Sequence, residues 1–372
     1  MIRVVIIGGG FAGVSALKAL SRHQLGLETL LIDRKQTFDF LPALPDTLSE
    51  RIQPFSLICS LENVARRHGA QFINAEAGGI DFAKRAVHTS SHAYPYDYLI
   101  LASGSETNFY GSKDIQQYAY ALDSANDAER IHKALSRNSF DTVVIGGGGY
   151  TGVEIATNVR RYCIKNKRAK RIVIVERAPK LLGALSEWMK RYVSQNLKRM
   201  EIDVFLDTVV EKVDKGGVFL SNGKAFERTL FIWSAGVKTS DYLFDLNVEK
   251  TPQGRISVND TLSVTENCFA AGDVVNFSWK GMPLRMCVQF ALVQGRLAAE
   301  NVICSLRGAP LKKYTPFDLG YIVPMANNHS CGRILGFNMK GLLPTMLHYV
   351  MCIYRSCGWR KKVGIIKNLM SS

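Results

Sequence analysis

The chain has 372 residues, 47% of them apolar, and a formal net charge of +15. That length allows two or three domains with real cores, and 31 Gly against 11 Pro with no low-complexity stretch excludes a disordered or fibrous chain. The cationic excess is concentrated in two clusters, Arg160–Arg171 and 340–372, which argues against a uniformly basic nucleic-acid binder.

Met1 stands almost directly on an apolar strand, Val4-Val5-Ile6-Ile7. No basic-then-apolar leader precedes it, so the chain is expected to stay on the side of the membrane where it is made. Gly8-Gly9-Gly10-Phe11-Ala12-Gly13 follows the strand. A helical run comes next, with Val14, Leu17 and Leu20 on one face, and then a strand, Leu30-Leu31-Ile32, ending in Asp33. The same grammar returns after Val143-Val144-Ile145. There Gly147-Gly148-Gly149-Tyr150-Thr151-Gly152 opens a helix carrying Val153, Ile155, Ala156 and Val159, and the strand Ile172–Val175 ends in Glu176.

In such a unit the first glycine permits a tight turn, and the second lets the backbone approach a pyrophosphate. The third lets helix pack on strand, and the helix N-terminus supplies unpaired N–H groups. The acid at the end of the second strand accepts from a ribose. One glycine motif alone is weak evidence, but two complete strand–turn–helix–strand–acid units predict two dinucleotide sites. The fold class expected is α/β, with two Rossmann-like dinucleotide-binding domains. The natural electron path is hydride from a nicotinamide to a flavin, then onward to an acceptor.

The run Arg160–Arg171, with seven cations, falls at the end of the second fingerprint helix and reads as a solvated loop. Nucleic acid would want interleaved aromatics, and only Tyr162 is there. The eight Cys include no C-x-x-C, and no disulfide framework or metal site is expected.

Four further segments carry a resemblance. They are Asp97-Tyr98-Leu99-Ile100-Leu101-Ala102-Ser103-Gly104-Ser105, Thr107–Gly111, Trp233-Ser234-Ala235-Gly236-Val237, and Thr265 through Phe269-Ala270-Ala271-Gly272-Asp273. In this order they resemble the type II NADH:quinone oxidoreductases of the two-dinucleotide-binding flavoprotein superfamily, with Ser103 in place of the usual Thr. The resemblance implies a discontinuous FAD domain, 1–112 and 262–310, an NADH domain, 113–261, and a C-terminal accessory segment, 311–372. It implies FAD contacts from Gly8, Gly10, Phe11, Ala12, Gly13, Asp33, Arg34, Ala102, Ser103, Gly104, Gly272, Asp273 and Gln289. For NADH it implies Gly147, Gly149, Tyr150, Thr151, Gly152, Glu154, Glu176, Ala235 and Gly236. Glu154 would lie near the nicotinamide. Glu176 would favour NADH by repelling a 2′-phosphate, although Arg177 follows it.

Arg285–Gly295 is similar to the quinone-site helix of those enzymes, whose motif carries two Gln four residues apart. Gln289 matches the first and Val293 replaces the second, while Gln294 would point roughly 100° away from it. A helix starting near Arg285 would direct its N-terminus at the flavin. Residues 34–58 hold no Cys, which argues against a disulfide acceptor. Cys163 and Cys331 are the only candidates for a sulfide:quinone reductase. The expected function is electron transfer from NADH through FAD to a membrane quinone, without ion pumping. The alternatives are a soluble flavoprotein reductase of a protein carrier, a sulfide:quinone reductase, and an NADH-responsive redox sensor.

The tail fits a lipid-soluble substrate. Gly341 to Tyr354 carries no formal charge but is too short to span a bilayer. Pro344 suits a first helical turn. Trp359, Val363, Ile366 and Met370 then recur at helical spacing among Arg360, Lys361, Lys362 and Lys367. Residues 341–372 are therefore expected to lie on an anionic membrane surface, peripheral on the cytoplasmic side. A homodimer interface is the competing use of the same stripe.

Overall fold

The computed structural model describes residues 1–23 and 26–371, so Ser372, the last residue of the expected membrane segment, lies outside the described residues. The chain divides into two compact units. The first comprises Met1–Phe38, Cys59–Glu106 and Val237–Asp318, and the second Asp39–Ile58, Thr107–Gly236 and Leu319–Ser372.

The first unit is built on a six-stranded sheet in the order Ser263–Thr265, Cys268–Ala270, Tyr98–Leu101, Arg3–Ile7, Glu28–Asp33, Gln71–Asn74. All its pairs are parallel except the first. Strand Arg3–Ile7 is central, with Val5 opposite Leu30 on one side and Leu99 on the other. Its apolar run is buried because helices cover parallel sheets on both faces. Helix Phe11–Leu20 packs its Val14, Leu17 and Leu20 inward, as their spacing predicts. It lies against the long helix Val288–Leu306 so closely that a Cβ on Gly295 would stand 2.1 Å from the Ala12 carbonyl oxygen. Only glycine permits that approach.

The second unit repeats the plan. Its four-stranded parallel sheet runs Ile202–Phe205, Arg171–Val175, Thr142–Gly146, Thr229–Trp233. Helix Tyr150–Lys165 buries Val153, Ile155, Ala156 and Val159. A three-stranded antiparallel meander, Gly320–Val323, Ser330–Ile334 and Phe337–Gly341, leads into two terminal helices, Leu342–Arg355 and Trp359–Ser371. Pro344 sits in the first turn of the former, where its missing N–H removes no helical bond.

Two local expectations need correction. The quinone-like helix begins at Val288, after an extended Cys287, rather than near Arg285. The basic run is not a solvated loop. Arg160 is buried and donates to the carbonyls of Lys170 and Glu201. Arg168 donates to Leu135 and Ser136 and lies over the Tyr162 ring, Lys170 reaches the Phe140 carbonyl, and Arg171 pairs with Asp203. Arg160, Arg168 and Lys170 thus satisfy carbonyls of neighbouring elements, while Lys165 and Lys167 are exposed.

The terminal helices keep an apolar face in solvent. Leu342, Leu343, Met346, Val350 and Tyr354 are exposed on the first, while Tyr349 and Cys352 face inward. On the second, Trp359 and Met370 are 76% and 84% exposed and Ile365 is buried. Among the described residues no helix is long and apolar enough to cross a membrane.

Candidate nucleotide sites

In the first unit the strand Arg3–Ile7 runs into Gly8 at φ +103°, where a Cβ would stand 2.2 Å from the Ala102 carbonyl oxygen. At Gly13 a Cβ would stand 1.8 Å from the Gly8 oxygen. Gly10, the N-cap, is the opposite case: its Cβ direction meets nothing within 4 Å, and no side chain caps the helix there. The turn is thus closed on the sheet side and open over the first-turn amides of Phe11, Ala12 and Gly13, the shape a pyrophosphate requires.

Around this cradle, Asp33 accepts from Gly9 N at 2.6 Å and from Lys35 N at 2.7 Å. Arg34 is held by Glu76 at 3.0 Å and Glu106 at 2.6 Å. A small cavity of about 50 Å³ lies between Gly8, Asp33, Arg34, Glu76, Ser103 and Tyr242. Ser103 accepts from the Tyr242 hydroxyl at 3.0 Å, and Gly104 follows at φ +73°. Asp273 accepts from Ser105 Oγ at 2.8 Å, and burial pushes its carboxyl up while Ser105 and Arg255 pull it down. Gly272 turns at φ +83° and its N–H donates to Gln294 Oε1 at 2.9 Å.

The second unit repeats the cradle. Gly147 lies at φ +108° with room for no Cβ, since Ala235 N would be 2.8 Å away, and at Gly152 a Cβ would be 1.9 Å from the Gly147 oxygen. Gly149 is open like Gly10. Glu176 accepts from Gly148 N at 2.6 Å and Ala178 N at 2.8 Å, the same pair of bonds that Asp33 makes. Here the cavity is about 540 Å³, within the range of small-ligand sites, and Glu176, Arg177, Lys180, Trp233, Ala235 and Gly236 line it. Tyr150 packs edge-on against Tyr321, and Thr151 is exposed. Tyr110, in the same lining, leaves Gly236 no room for a Cβ, which would stand 2.0 Å from its hydroxyl oxygen.

The two residues singled out for chemistry stand in different units. Glu154 stands just past the first turn of the second fingerprint helix. Its carboxyl is pushed well above the ordinary range by burial and by the neighbouring Asp46. Gln289 sits in the first turn of Val288–Leu306 and donates to Asp318 Oδ1 at 2.8 Å, beside the Arg285–Asp318 ion pair. Val293 is 40% exposed, whereas Gln294 turns inward to the Gly272 loop. Sequence reasoning missed Asp46 and its hydrogen-bond partner Tyr349. The available signal was Asp46 itself, the single charged residue in Phe40–Ser49. Among the described residues no cluster of three metal-ligand types occurs. Burial raises the thiols of Cys163 and Cys331, the latter to about 12.

Two glycine cradles, each closed by an acid and built on its own parallel sheet, define a class: oxidoreductases that bind two dinucleotides in one chain. The sequence profile of the pyridine nucleotide-disulphide oxidoreductases matches residues 2–295, and the chain belongs to that family. It is similar to the type II NADH:quinone oxidoreductases of Staphylococcus saprophyticus, 25% identical, and Staphylococcus haemolyticus, 26% identical, in both cases over 91% of each chain. Its fold matches NDH2 from Plasmodium falciparum in complex with NADH, with a TM-score of 0.85 at 16% identity over 100% of this chain and 98% of the other. It also matches the sulfide:quinone oxidoreductase of Aquifex aeolicus, with a TM-score of 0.82 at 20% identity over 98% and 92%.

Proposed function

We propose that this chain is an NADH:quinone oxidoreductase that holds FAD in the first cradle and NADH in the second. The observation that carries the reading is the pair of cradles, each with an open glycine over bare helix amides and a carboxylate fixed at the strand end. FAD, when bound, supplies a two-electron carrier between hydride donor and acceptor. In the first unit, Gly8, Gly10, Phe11, Ala12 and Gly13 would hold the pyrophosphate. Asp33 and Arg34 would flank the ribose. Ala102, Ser103 and Gly104 would line the groove, and Gly272 and Asp273 would take the ribityl end. In the second, Gly147, Gly149, Tyr150, Thr151 and Gly152 would seat the NADH pyrophosphate, Glu176 its ribose, and Ala235 and Gly236 its nicotinamide side. Glu154 and Gln289 would serve the reacting groups. The domain assignment that accompanies this reading is FAD on 1–112 and 262–310, NADH on 113–261, and 311–372 for acceptor access and attachment.

A quinone acceptor is favoured over sulfide because Cys163 and Cys331 are buried thiols. It is favoured over a soluble protein carrier by the exposed apolar faces of the two terminal helices. Six cations lie at 340–372. Each Lys or Arg near an anionic surface contributes about 1 kcal/mol, so these six and the apolar face together would hold the protein on the cytoplasmic leaflet.

The decisive experiment is to purify the protein, record its flavin spectrum, and follow NADH oxidation with menaquinone and ubiquinone analogues. Acid should release the flavin, and quinone should reoxidise it after NADH bleaching. A bleached flavin that no quinone reoxidises would overturn the reading. Removing 359–372 should shift the protein from anionic liposomes to the soluble fraction and spare turnover with a water-soluble quinone. Loss of flavin on truncation would make the tail a core element instead.

A further inference from the structure

Part of the wall of the larger cavity comes from a loop outside the glycine motif, which contributes Phe109, Tyr110 and Ser112. Both ends of the loop are fixed. Asn108 N donates to the Gly236 carbonyl oxygen at 3.2 Å, and the Asn108 carbonyl accepts from Trp233 Nε1 at 2.9 Å. At the other end Ser112 N donates to the Phe109 carbonyl at 3.0 Å. Ser112 Oγ also caps helix Lys113–Tyr118, accepting from Ile115 N at 3.3 Å. Phe109 packs on the apolar cluster that holds Val144, Val175 and Trp233.

Tyr110 alone breaks this economy. Its backbone is left-handed, at φ +51°, and Asn108 Oδ1 holds it there by accepting from Tyr110 N at 2.8 Å. A bulky side chain is strained in that conformation, whereas glycine adopts it freely, as Gly111 does next at φ +75°. The strain secures little burial, because Tyr110 is 63% exposed. An aromatic ring held at a cavity wall, at a cost to the backbone and with little packing in return, points to a ligand.

The position of the ring says which part of the ligand it meets. A Cβ on Gly236 would stand 2.0 Å from the Tyr110 hydroxyl oxygen, 2.8 Å from Cζ and 3.1 Å from Cε2, so the phenol edge lies on Gly236. Gly236 follows strand Thr229–Trp233, which flanks the central strand Thr142–Gly146 on the side opposite Arg171–Val175. In such a unit the acid ending the second strand takes the adenosine ribose, and the other half of the dinucleotide crosses the glycine turn toward the opposite strand. Glu176 thus marks the adenosine end of the cavity, and Tyr110 the nicotinamide end.

We propose that Tyr110 is a binding residue for the nicotinamide riboside half of NADH, its exposed ring covering that half when the cofactor is seated against Gly236. The proposal rests on the reading of this cavity as the NADH site. That half of the cofactor is a flat ring on a neutral sugar, with no charge for Arg177 or Lys180 to grip. Apolar ring surface taken out of water is what the fold has left to hold it.

The test separates the two halves of the cofactor. ADP-ribose carries the adenosine half without the nicotinamide, and NAD⁺ carries both without reducing the flavin. Their affinities for the flavin-loaded protein are measured by calorimetry, with stopped-flow bleaching by NADH alongside. Tyr110→Ala should weaken NAD⁺ about tenfold and raise the half-saturating NADH concentration to match. ADP-ribose should hold its wild-type affinity, and Tyr110→Phe should keep most of the NAD⁺ affinity. Tyr110→Gly relieves the left-handed backbone, so it should melt higher than Tyr110→Ala and yet bind NAD⁺ no better. Equal losses for ADP-ribose and NAD⁺, or NAD⁺ affinity regained in Tyr110→Gly, would make the ring a structural element and overturn the proposal. So would wild-type NAD⁺ affinity in Tyr110→Ala. A wild-type protein that binds neither compound would instead bring down the parent reading, and this one with it.

Discussion

The two glycine cradles are near copies in backbone and differ in what surrounds them. In each, one glycine is forced by a carbonyl under 2 Å from its absent Cβ, one is open, and one carboxylate binds the turn. The first cradle is then fastened by side chains: Tyr242 to Ser103, Ser105 to Asp273, and Gln294 to the Gly272 amide. A cavity of about 50 Å³ lies beside its acid, between Gly8, Asp33 and Ser103. The second opens on about 540 Å³. On the proposed reading, walls bonded to each other would suit a ligand that stays, and walls that stand apart one that comes and goes. Preorganised walls lower the entropy lost on binding and so favour retention.

Paired substitutions break the comparison most directly. Gly13→Ala puts a Cβ into the Gly8 oxygen, and Gly152→Ala puts one into the Gly147 oxygen. The first should purify without flavin by its visible spectrum. The second should stay yellow and lose NADH-driven bleaching by more than about tenfold, the equivalent of about 1.4 kcal/mol of binding. Equal flavin loss from both would mean that the cradles are not specialised as stated. A smaller effect is expected at the strand ends. Wild type should prefer NADH, and Glu176→Gln should raise the NADPH-to-NADH ratio of kcat/KM by roughly tenfold or less, since Arg177 and Lys180 already line that cavity. An unchanged ratio would remove Glu176 from cofactor choice.

The smallest effect concerns stability. Asp46 titrates higher in the folded protein, at about 6, than the ordinary 3.8. Its contribution is therefore complete below that ordinary value and is lost as pH rises through about 6. His348, lowered from 6.5 to about 4, acts oppositely, its contribution being lost as pH falls. Asp46→Asn should thus melt a few degrees higher than wild type above pH 6 and gain less below it, read as Tm across a pH series. A constant difference would exclude Asp46 as the cause.

Most of the geometry of the two glycine cradles was legible because it is local. Gly8 to Asp33 and Gly147 to Glu176 each carry turn, helix and acid within one βαβ unit, so spacing alone places them. The fold class follows from that repeat and stands in both sheets. The Asp46–Tyr349 bond joins residues 303 apart, and nothing in either segment announces the other. The cations of 160–171 were visible, but the carbonyls they satisfy come from other elements, so charge pattern suggested solvent where the fold supplies partners. Gln294 was legible only as a residue off the expected face. Its bond to Gly272 depends on how the helix meets the loop of a distant strand.

That inward amide has a pharmacological edge. A compound built to grip the quinone-site helix of the type II enzymes by two glutamine amides a turn apart would meet one amide here, Gln289, already engaged with Asp318, and then the methyl groups of Val293. The second amide is committed to the scaffold. Selectivity between this chain and an enzyme that carries both glutamines therefore has a ready handle: an apolar substituent at that turn should gain contact here and leave an unpaired glutamine there.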